Sequence, residues 1–310
     1  MKKIISIALS TIISVMALTS CANNAITTAE TTAQQTPLNK EYTALVYDYT
    51  DGIPGGEKDV DLSHKTRKKS PAPSDSVTID GVTYKGTYTS SWVYERYNFD
   101  RDEYTYKDDN VSVRYTINAA TGKVEGLSID YKRDKSFYEG KKIYSEEECL
   151  ELAKEYIKQY VPNIEKYTLV SKTKTQAEIY KFKFREYIDG VRVGNDAFVN
   201  VNVYGELDNF DYHFDIEDVE AFKASGYLET IDWDAVDEAI EKRANEFLSY
   251  SEQYNSIEVI NTEEHQTTKT LVKMADGSFA LKCQVYVYMS NSENSDVWAS
   301  DNVLMIIYLD

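Results

Sequence analysis

The chain has 310 residues, 42% hydrophobic and 28% charged, a globular composition long enough for one large or two ordinary domains. Lys and Arg total 34 against 52 Asp and Glu, a formal net charge of -18, so the surface repels phosphate backbones and no nucleic-acid partner is expected. Three cysteines and three histidines exclude a disulfide framework and leave few ligands for a soft metal; no metal and no cofactor is expected.

Lys2 and Lys3 precede a mostly apolar stretch from Ile4 to Leu18, and small residues lead to Cys21, the layout of an export signal. That stretch falls short of the roughly 20 residues a spanning helix needs. The ending Leu18-Thr19-Ser20-Cys21 resembles the lipobox of bacterial lipoproteins. The resemblance implies removal of residues 1–20 and a diacylglycerol on the Cys21 thiol, with further acylation of the palmitate kind, since one acyl chain gives only marginal membrane affinity. The expected location is the extracytoplasmic side of the cell membrane, held through Cys21. Loss of Lys2 and Lys3 takes the charge from -18 to -20.

Residues 21–40 form a tether: Ala22 to Gln35 is Ala, Asn, Thr and Gln with almost no large apolar side chain to offset the entropy of ordering. Residues 41–76 read as an irregular lead-in. Tyr42, Leu45, Val46 and Tyr47 make one strand, and Gly52, Pro54, Gly55, Gly56, Pro71 and Pro73 punctuate the rest.

A β-rich region, 77–142, follows. Val77 to Tyr84 carries an Asp80-Gly81 hairpin signal between β-branched residues. Val111, Val113, Tyr115 and Ile117 alternate with polar residues, and Thr121-Gly122 turns the chain into Val124 to Tyr131, a second hairpin.

In 143–225, Ser145 and Glu148 make a capping box, and Pro162 stops the helix. Its apolar stripe of Cys149, Leu152, Ala153, Tyr156, Ile157, Tyr160 and Val161 must rest on a sheet. Half-buried strands follow around Tyr180 to Phe184, Val199 to Val203 and, after Gly205, Leu207 to Phe214. The design recurs in 226–310. Asp232 caps a helix with Val236, Ala239, Ile240, Ala244, Phe247 and Leu248 inward, positions that fall 87 residues after members of the first stripe. Strands are expected at Ile257 to Ile260, Lys269 to Met274, Phe279 to Met289 and Val303 to Leu309. The hairpin from Val111 to Tyr131 matches the last hairpin of the first unit, Gly122 answering to Gly205, which makes 77–142 a partial unit. The fold class is α+β: repeated units of one helix packed on a curved antiparallel sheet, preceded by a β-rich region.

The capped helix Ser145-Glu-Glu-Glu-Cys-Leu-Glu-Leu-Ala-Lys-Glu-Tyr, the run from Tyr180 to Gly190 leading to Val191-Arg-Val193, and Val199 to Phe214 with its Gly205 turn resemble the PepSY and PepSY-like domains of bacterial envelope proteins, including the tandem YcdB/YcdC type. The resemblance covers about 145–310, with 77–131 as a further stretch. It implies helices packed across a curved antiparallel sheet and a noncatalytic role, since such domains accompany peptidases and are thought to restrain them. The chain has no His-Glu-x-x-His, so restraint of a peptidase would act in trans.

No residue is assigned a catalytic role. His64 lies in the lead-in, His265 in a polar turn, and His213 on a strand face with Asn209 and Asp211; none has a second histidine at ligand spacing. Cys149 and Cys283 read as buried thiols in different units. Acidic clusters such as Asp100, Asp102 and Glu103 lack an Asp-x-Asp-x-Asp-Gly calcium loop. The 26 tyrosines are the unusual feature, and the run from Tyr84 to Tyr106 is expected to be mainly strand packing, with Trp92, Tyr94 and Tyr97 as candidates for an exposed ledge. Lys181, Lys183 and Arg185 form a basic stripe on one strand, expected either to pair with local carboxylates or to draw an acidic partner. The expectation is a monomeric, noncatalytic envelope lipoprotein that binds or regulates an envelope protein or peptide. A glycan-binding or adhesive lipoprotein and an uncharacterised hydrolase are the alternatives.

Overall fold

The alternation that marks the strands in the sequence also sorts their side chains between the two faces of the sheet. The structure, a computed structural model, describes residues 40–49, 58–62, 64–66, 76–79, 81–94, 99–161, 163–250, 252–262 and 265–309. Cys21, Tyr97, Asp80 and Pro162 lie outside the described residues, as do the export signal and the tether up to residue 39.

The first strands are β1 (Ala44–Tyr49), β2 (His64–Thr66), β3 (Ser76–Ile79), β4 (Val82–Lys85), β5 (Thr87–Tyr94), β6 (Phe99–Lys107), β7 (Val111–Asn118) and β8 (Val124–Tyr131). Helix α1 (Glu146–Ile157) precedes β9 (Thr168–Lys174), β10 (Ile179–Ile188), β11 (Val191–Asn202) and β12 (Leu207–His213). The short helix α2 (Val219–Ala224) leads to α3 (Trp233–Glu246) and then to β13 (Ser256–Ile260), β14 (Thr268–Lys273), β15 (Phe279–Asn291) and β16 (Asn294–Tyr308). The architecture is α+β and predominantly strand.

Among the described residues fourteen strands join in one sheet, in the order β1-β16-β15-β14-β11-β12-β8-β7-β6-β5-β2, with β10 and then β9 paired outward from β11, and β13 paired with β15. Strands β3 and β4 make a separate hairpin. The sheet is mixed rather than purely antiparallel: β11 and β14 run parallel, Arg192 opposite Thr270 and Val193 opposite Leu271. These two strands are far apart in sequence, so no hairpin forces them antiparallel. The lead-in supplies the edge strand β1, which pairs with β16 through Leu45 opposite Ile306 and Val46 opposite Met305.

Helix α1 begins with the expected capping box: Glu148 N donates to Ser145 Oγ at 3.2 Å, and Ser145 N donates to Glu148 Oε2 at 2.9 Å. Its Cys149, Ala153 and Ile157 close a core with Val113 and Tyr115 of β7, Phe182 and Phe184 of β10, Val199 and Val201 of β11, and Phe210 of β12. Strands of the β-rich region therefore share the core under α1. Helix α3, capped by Asp232, closes a second core in which Val236, Ile240 and Ala244 meet Val46, Leu281, Val285, Val303 and Met305. On the opposite face, Val60 and Leu62 cover Val272, Ala280 and Ile306 beside Leu45 and Tyr47. Arg243 of α3 fastens that covering segment: its Nε lies 3.0 Å from Asp59 Oδ2, which also accepts Val46 N at 2.7 Å.

Cys149 and Cys283 are free, buried thiols in the two separate cores. Burial raises both, Cys283 to about 12. Burial likewise raises Tyr47, Tyr167 and Tyr212, the last to about 12.

Two outcomes follow from these cores. Ile240→Asp places a charge under the sheet with no partner and should cost more than about 3 kcal/mol, read as a lowered midpoint in urea; a wild-type midpoint would contradict the packing of α3. The fold favours the protonated forms of Cys283 and Tyr212, so their contribution is whole below their ordinary values of 9.0 and 10.0 and is lost as pH rises through about 12. Urea midpoints should accordingly hold through neutral pH and drop across that alkaline window, and native thiols should resist iodoacetamide until the chain unfolds.

Candidate functional site on the face of the sheet opposite the helices

Successive strand residues point to opposite faces. Along β11, Val193, Ala197, Val199 and Val201 point into the cores, while Arg192, Gly194, Asp196, Phe198 and Asn200 take the other face. Two hollows lie there, and Phe198, 41% exposed, borders both.

The first hollow, about 430 Å³, sits at the parallel seam of β11 and β14 and is lined by Tyr47, Arg192, Asp196, His213, Asp215 and Lys282 among others. Asp215 is buried, and its carboxylate occupies the space above Gly194: a Cβ on Gly194 would stand 1.7 Å from Asp215 Oδ2. A glycine in a strand is explained here by that close approach. Asn195, on the other side of β11, accepts Asp215 N at 2.8 Å and Ile216 N at 3.1 Å, and its amide donates to Glu186 at 2.7 Å. The chain leaving β12 is thereby locked so that Asp215 enters the hollow. His213 Nε2 lies 3.1 Å from Asp215 Oδ1. Burial holds the Lys282 ammonium below its ordinary value, with Asp215 opposing that shift.

Asp196 is shared by three cations. Arg192 Nη2 is 3.0 Å from Oδ2, Arg185 Nε is 3.5 Å from Oδ1, and Lys183 Nζ is 3.9 Å from Oδ2. Burial lowers both Lys183 and Arg192 from their ordinary values. The Lys183 ammonium also stands 4.4 Å over the Phe198 ring, within cation-π range.

The second hollow, about 510 Å³, is lined by Trp92, Arg101, Arg114, Lys181, Lys183 and Asp211 among others. Arg101 is buried at its edge. Its Nε donates to Glu125 Oε2 at 2.8 Å, Nη1 to Asp211 Oδ1 at 2.8 Å and Nη2 to the Tyr212 carbonyl at 2.7 Å, so one side chain ties β6 to β8 and β12. Trp92 is oriented by its Nε1, which donates to Ser90 Oγ at 3.1 Å.

Of the residues singled out in the sequence, Trp92, Lys181 and Lys183 come together in the second hollow. Lys183 and Arg185 turn to Asp196, the local pairing that was one of the two readings of the basic stripe. Tyr97 and the side chain of Tyr94 lie outside the described residues. The neighbouring tyrosines pack on one another: Tyr104 stacks on Tyr115 at 5.5 Å, and Tyr84 meets Tyr106 edge-on at 5.3 Å. His213, read from the sequence as a member of a polar strand face, is half-buried against Asp215. The seam residues Arg192, Asp196, Asp215 and Lys282 were missed. Their signals were the glycine between Arg192 and Asp196, and the His213-x-Asp215 spacing at a strand end.

Chemically, the face offers charge and hydrogen-bond donors beside flat apolar rings. Cys283 borders the first hollow, but its side chain is buried in the core under α3. Among the described residues no three His, Cys, Asp or Glu side chains converge to hold a metal ion.

Residues 78–213 match the family model described as the YcdB, YcdC repeated domain. The match takes in the β-rich region and the α1 unit together, from β3 to the end of β12, while the stretch after 213 lies outside it. Among solved structures, the chain is similar to the Bacillus megaterium YpeB C-terminal domain at 12% identity, over 66% of this chain and 84% of that one, with a TM-score of 0.30. No curated protein matches.

Gly194→Ala should drive Asp215 out of the seam and cost about 2 to 4 kcal/mol. Adding Asp215→Ala should restore part of that loss, because it removes the two nearest atoms, Oδ2 at 1.7 Å and Cγ at 2.7 Å, and leaves the Asp215 Cβ at 3.3 Å. Urea denaturation of both single variants and the double variant reads the coupling; strictly additive losses would contradict the geometry.

Proposed function

We propose that the chain is a noncatalytic, lipid-anchored envelope module that binds or regulates an envelope protein or peptide, in keeping with the family match and with the PepSY-like resemblance. The observation that carries the reading is the face of the central strands opposite the helices, where, among the described residues, two hollows flank the exposed ring of Phe198. Helices on one side leave this side for a ligand, and hollows of a few hundred Å³ are of ligand-binding size. Regulation of a peptidase in trans is one form such binding takes.

We read the chain as a tandem array. Helix α3 starts 87 residues after α1, and the same displacement carries the starts of β13 to β16 onto those of β9 to β12 within about two residues. A displacement of 83 brings the starts of β9 to β12 onto those of β5 to β8 within about three residues, which supports a partial unit ahead of the two others. Both helices bury the equivalent faces: Cys149, Ala153 and Ile157 answer to Val236, Ile240 and Ala244.

Two experiments test the proposal. Cys21→Ser should abolish labelling by a fatty-acid analogue and release the protein from the membrane fraction; label retained on the variant would refute the anchor. A photo-crosslinking residue at Phe198 should trap an envelope protein or peptide in intact cells, whereas the same residue at Glu155, on the exposed side of α1, should not. Equal capture from both positions, or none from 198, would refute use of this face.

A further inference from the structure

We infer that the face opposite the helices recognises an acidic peptide segment in extended form, with one carboxylate docking at each hollow and an apolar side chain resting on Phe198. The inference rests on the binding reading above and names the chemistry of the partner.

Charge is the first ground. At the seam, four cations, Lys183, Arg185, Arg192 and Lys282, are set against two carboxylates, Asp196 and Asp215. The second hollow has Asp211 as its lining carboxylate, with Arg101, Arg114, Lys181 and Lys183 around it. The second hollow thus carries surplus positive charge, while the first sets Arg192 and Lys282 against Asp196 and Asp215 with Arg185 and Lys183 also turned to Asp196, on a chain whose total is -18. Such a local reversal steers an anionic partner to this face and away from the rest of the surface.

Unmet hydrogen-bonding capacity is the second ground. The Nε atoms of Arg185 and Arg192 are buried and have no hydrogen-bond acceptor. The 3.5 Å approach of Arg185 Nε to Asp196 Oδ1 is an ion pair without hydrogen-bond geometry, and that same Oδ1 has no donor. Of the two, Arg192 lines the first hollow, where a docked carboxylate beside its guanidinium supplies the strongest kind of acceptor.

Shape selects a peptide. From Asp196 to Asn200 the strand advances four residues, about 13 Å, with Phe198 midway. An extended peptide has the same repeat, so acidic residues four positions apart reach both hollows while the residue between them meets Phe198. Tyr47, Val272 and Leu304 in the first hollow and Trp92 in the second add apolar surface. A polymer of phosphodiesters would satisfy the cations and leave those groups uncovered.

The test uses the full mature chain carrying Cys21→Ser, and a fluorescent seven-residue peptide with Glu at its second and sixth positions, Leu at its fourth and Ala elsewhere. Anisotropy should show saturable binding that weakens at least about 10-fold when both Glu become Gln, or when Leu becomes Gly. Arg192→Gln and Lys282→Met should each weaken binding of the Glu peptide about 10-fold and leave binding of the Gln peptide unaltered. Thermal midpoints of both variants are recorded, and Lys181→Met, on an exposed strand position, serves where either variant fails to fold. Equal binding of the Glu and Gln peptides overturns the inference, as does unchanged affinity in the variants. Preferential binding of poly(glycerol phosphate), used as the competing probe, overturns it too. Should crosslinking at 198 still trap a partner while the peptides show no preference for carboxylate, the acidic-peptide inference falls and the binding function stands.

Discussion

Helices that are too few for their sheet set the terms for the rest of this molecule. Among the described residues fourteen strands lie side by side, and the longer helices α1 and α3 have 12 and 14 residues. At 1.5 Å per residue each is only about 20 Å long, and strands are spaced near 4.8 Å, so each helix covers a handful of strands on one face. Two apolar cores form under those helices, a smaller one lies under residues 58–62 on the reverse face, and among the described residues the rest of that face is made compatible with water by its own side chains. The lysines, arginines and aspartates of β10, β11, β12 and β15 answer that requirement. Charged groups gather on the part of that face that Val60 and Leu62 do not cover.

Where helices do not hold strands together, arginines do. Arg101 reaches from β6 to Glu125, Asp211 and the carbonyl of Tyr212, and Arg243 joins α3 to Asp59 in the lead-in. The Arg101–Glu125 pair is buried on both sides, and losing one partner of such a pair is costly. The Arg101 network explains why the β-rich region and the α1 unit form one body. Together with the shared core, it places the span of the family match, 78–213, on strands that cannot be separated without exposing a charge.

Local patterns were readable in the chain, and tertiary joins were not. The capping box of Ser145, the Asp232 cap and the alternation along β7, β10 and β15 depend on residues within a few positions of one another, and each appears as read. Strand β16 begins at Asn294, nine residues ahead of the expected Val303, because its first part is solvent-facing: Trp298 is 57% exposed and no apolar alternation marks it. Helix α2 has only six residues, too few for a helical period to show. The parallel seam and the Asp196 and Asp215 clusters escaped for a different reason. Their members come from β10, β11, β12 and β15, and their meeting is decided by which strands become neighbours. The pairing of Arg185 with Asp196 was within reach, since adjacent strands of a hairpin place those two residues opposite each other.

The pairing of β1 with β16 bears on the order of assembly. Val46 lies opposite Met305, a contact that closes a loop of more than two hundred and fifty residues. Such a closure is entropically disfavoured until the intervening chain has condensed, which favours late addition of β1 to the sheet. Until β1 pairs, the flank of β16 stands open. An unsatisfied edge of that length invites a strand from another molecule. The segment 58–62, held to α3 by Arg243, keeps β1 nearby and so favours closure within the chain over exchange between chains.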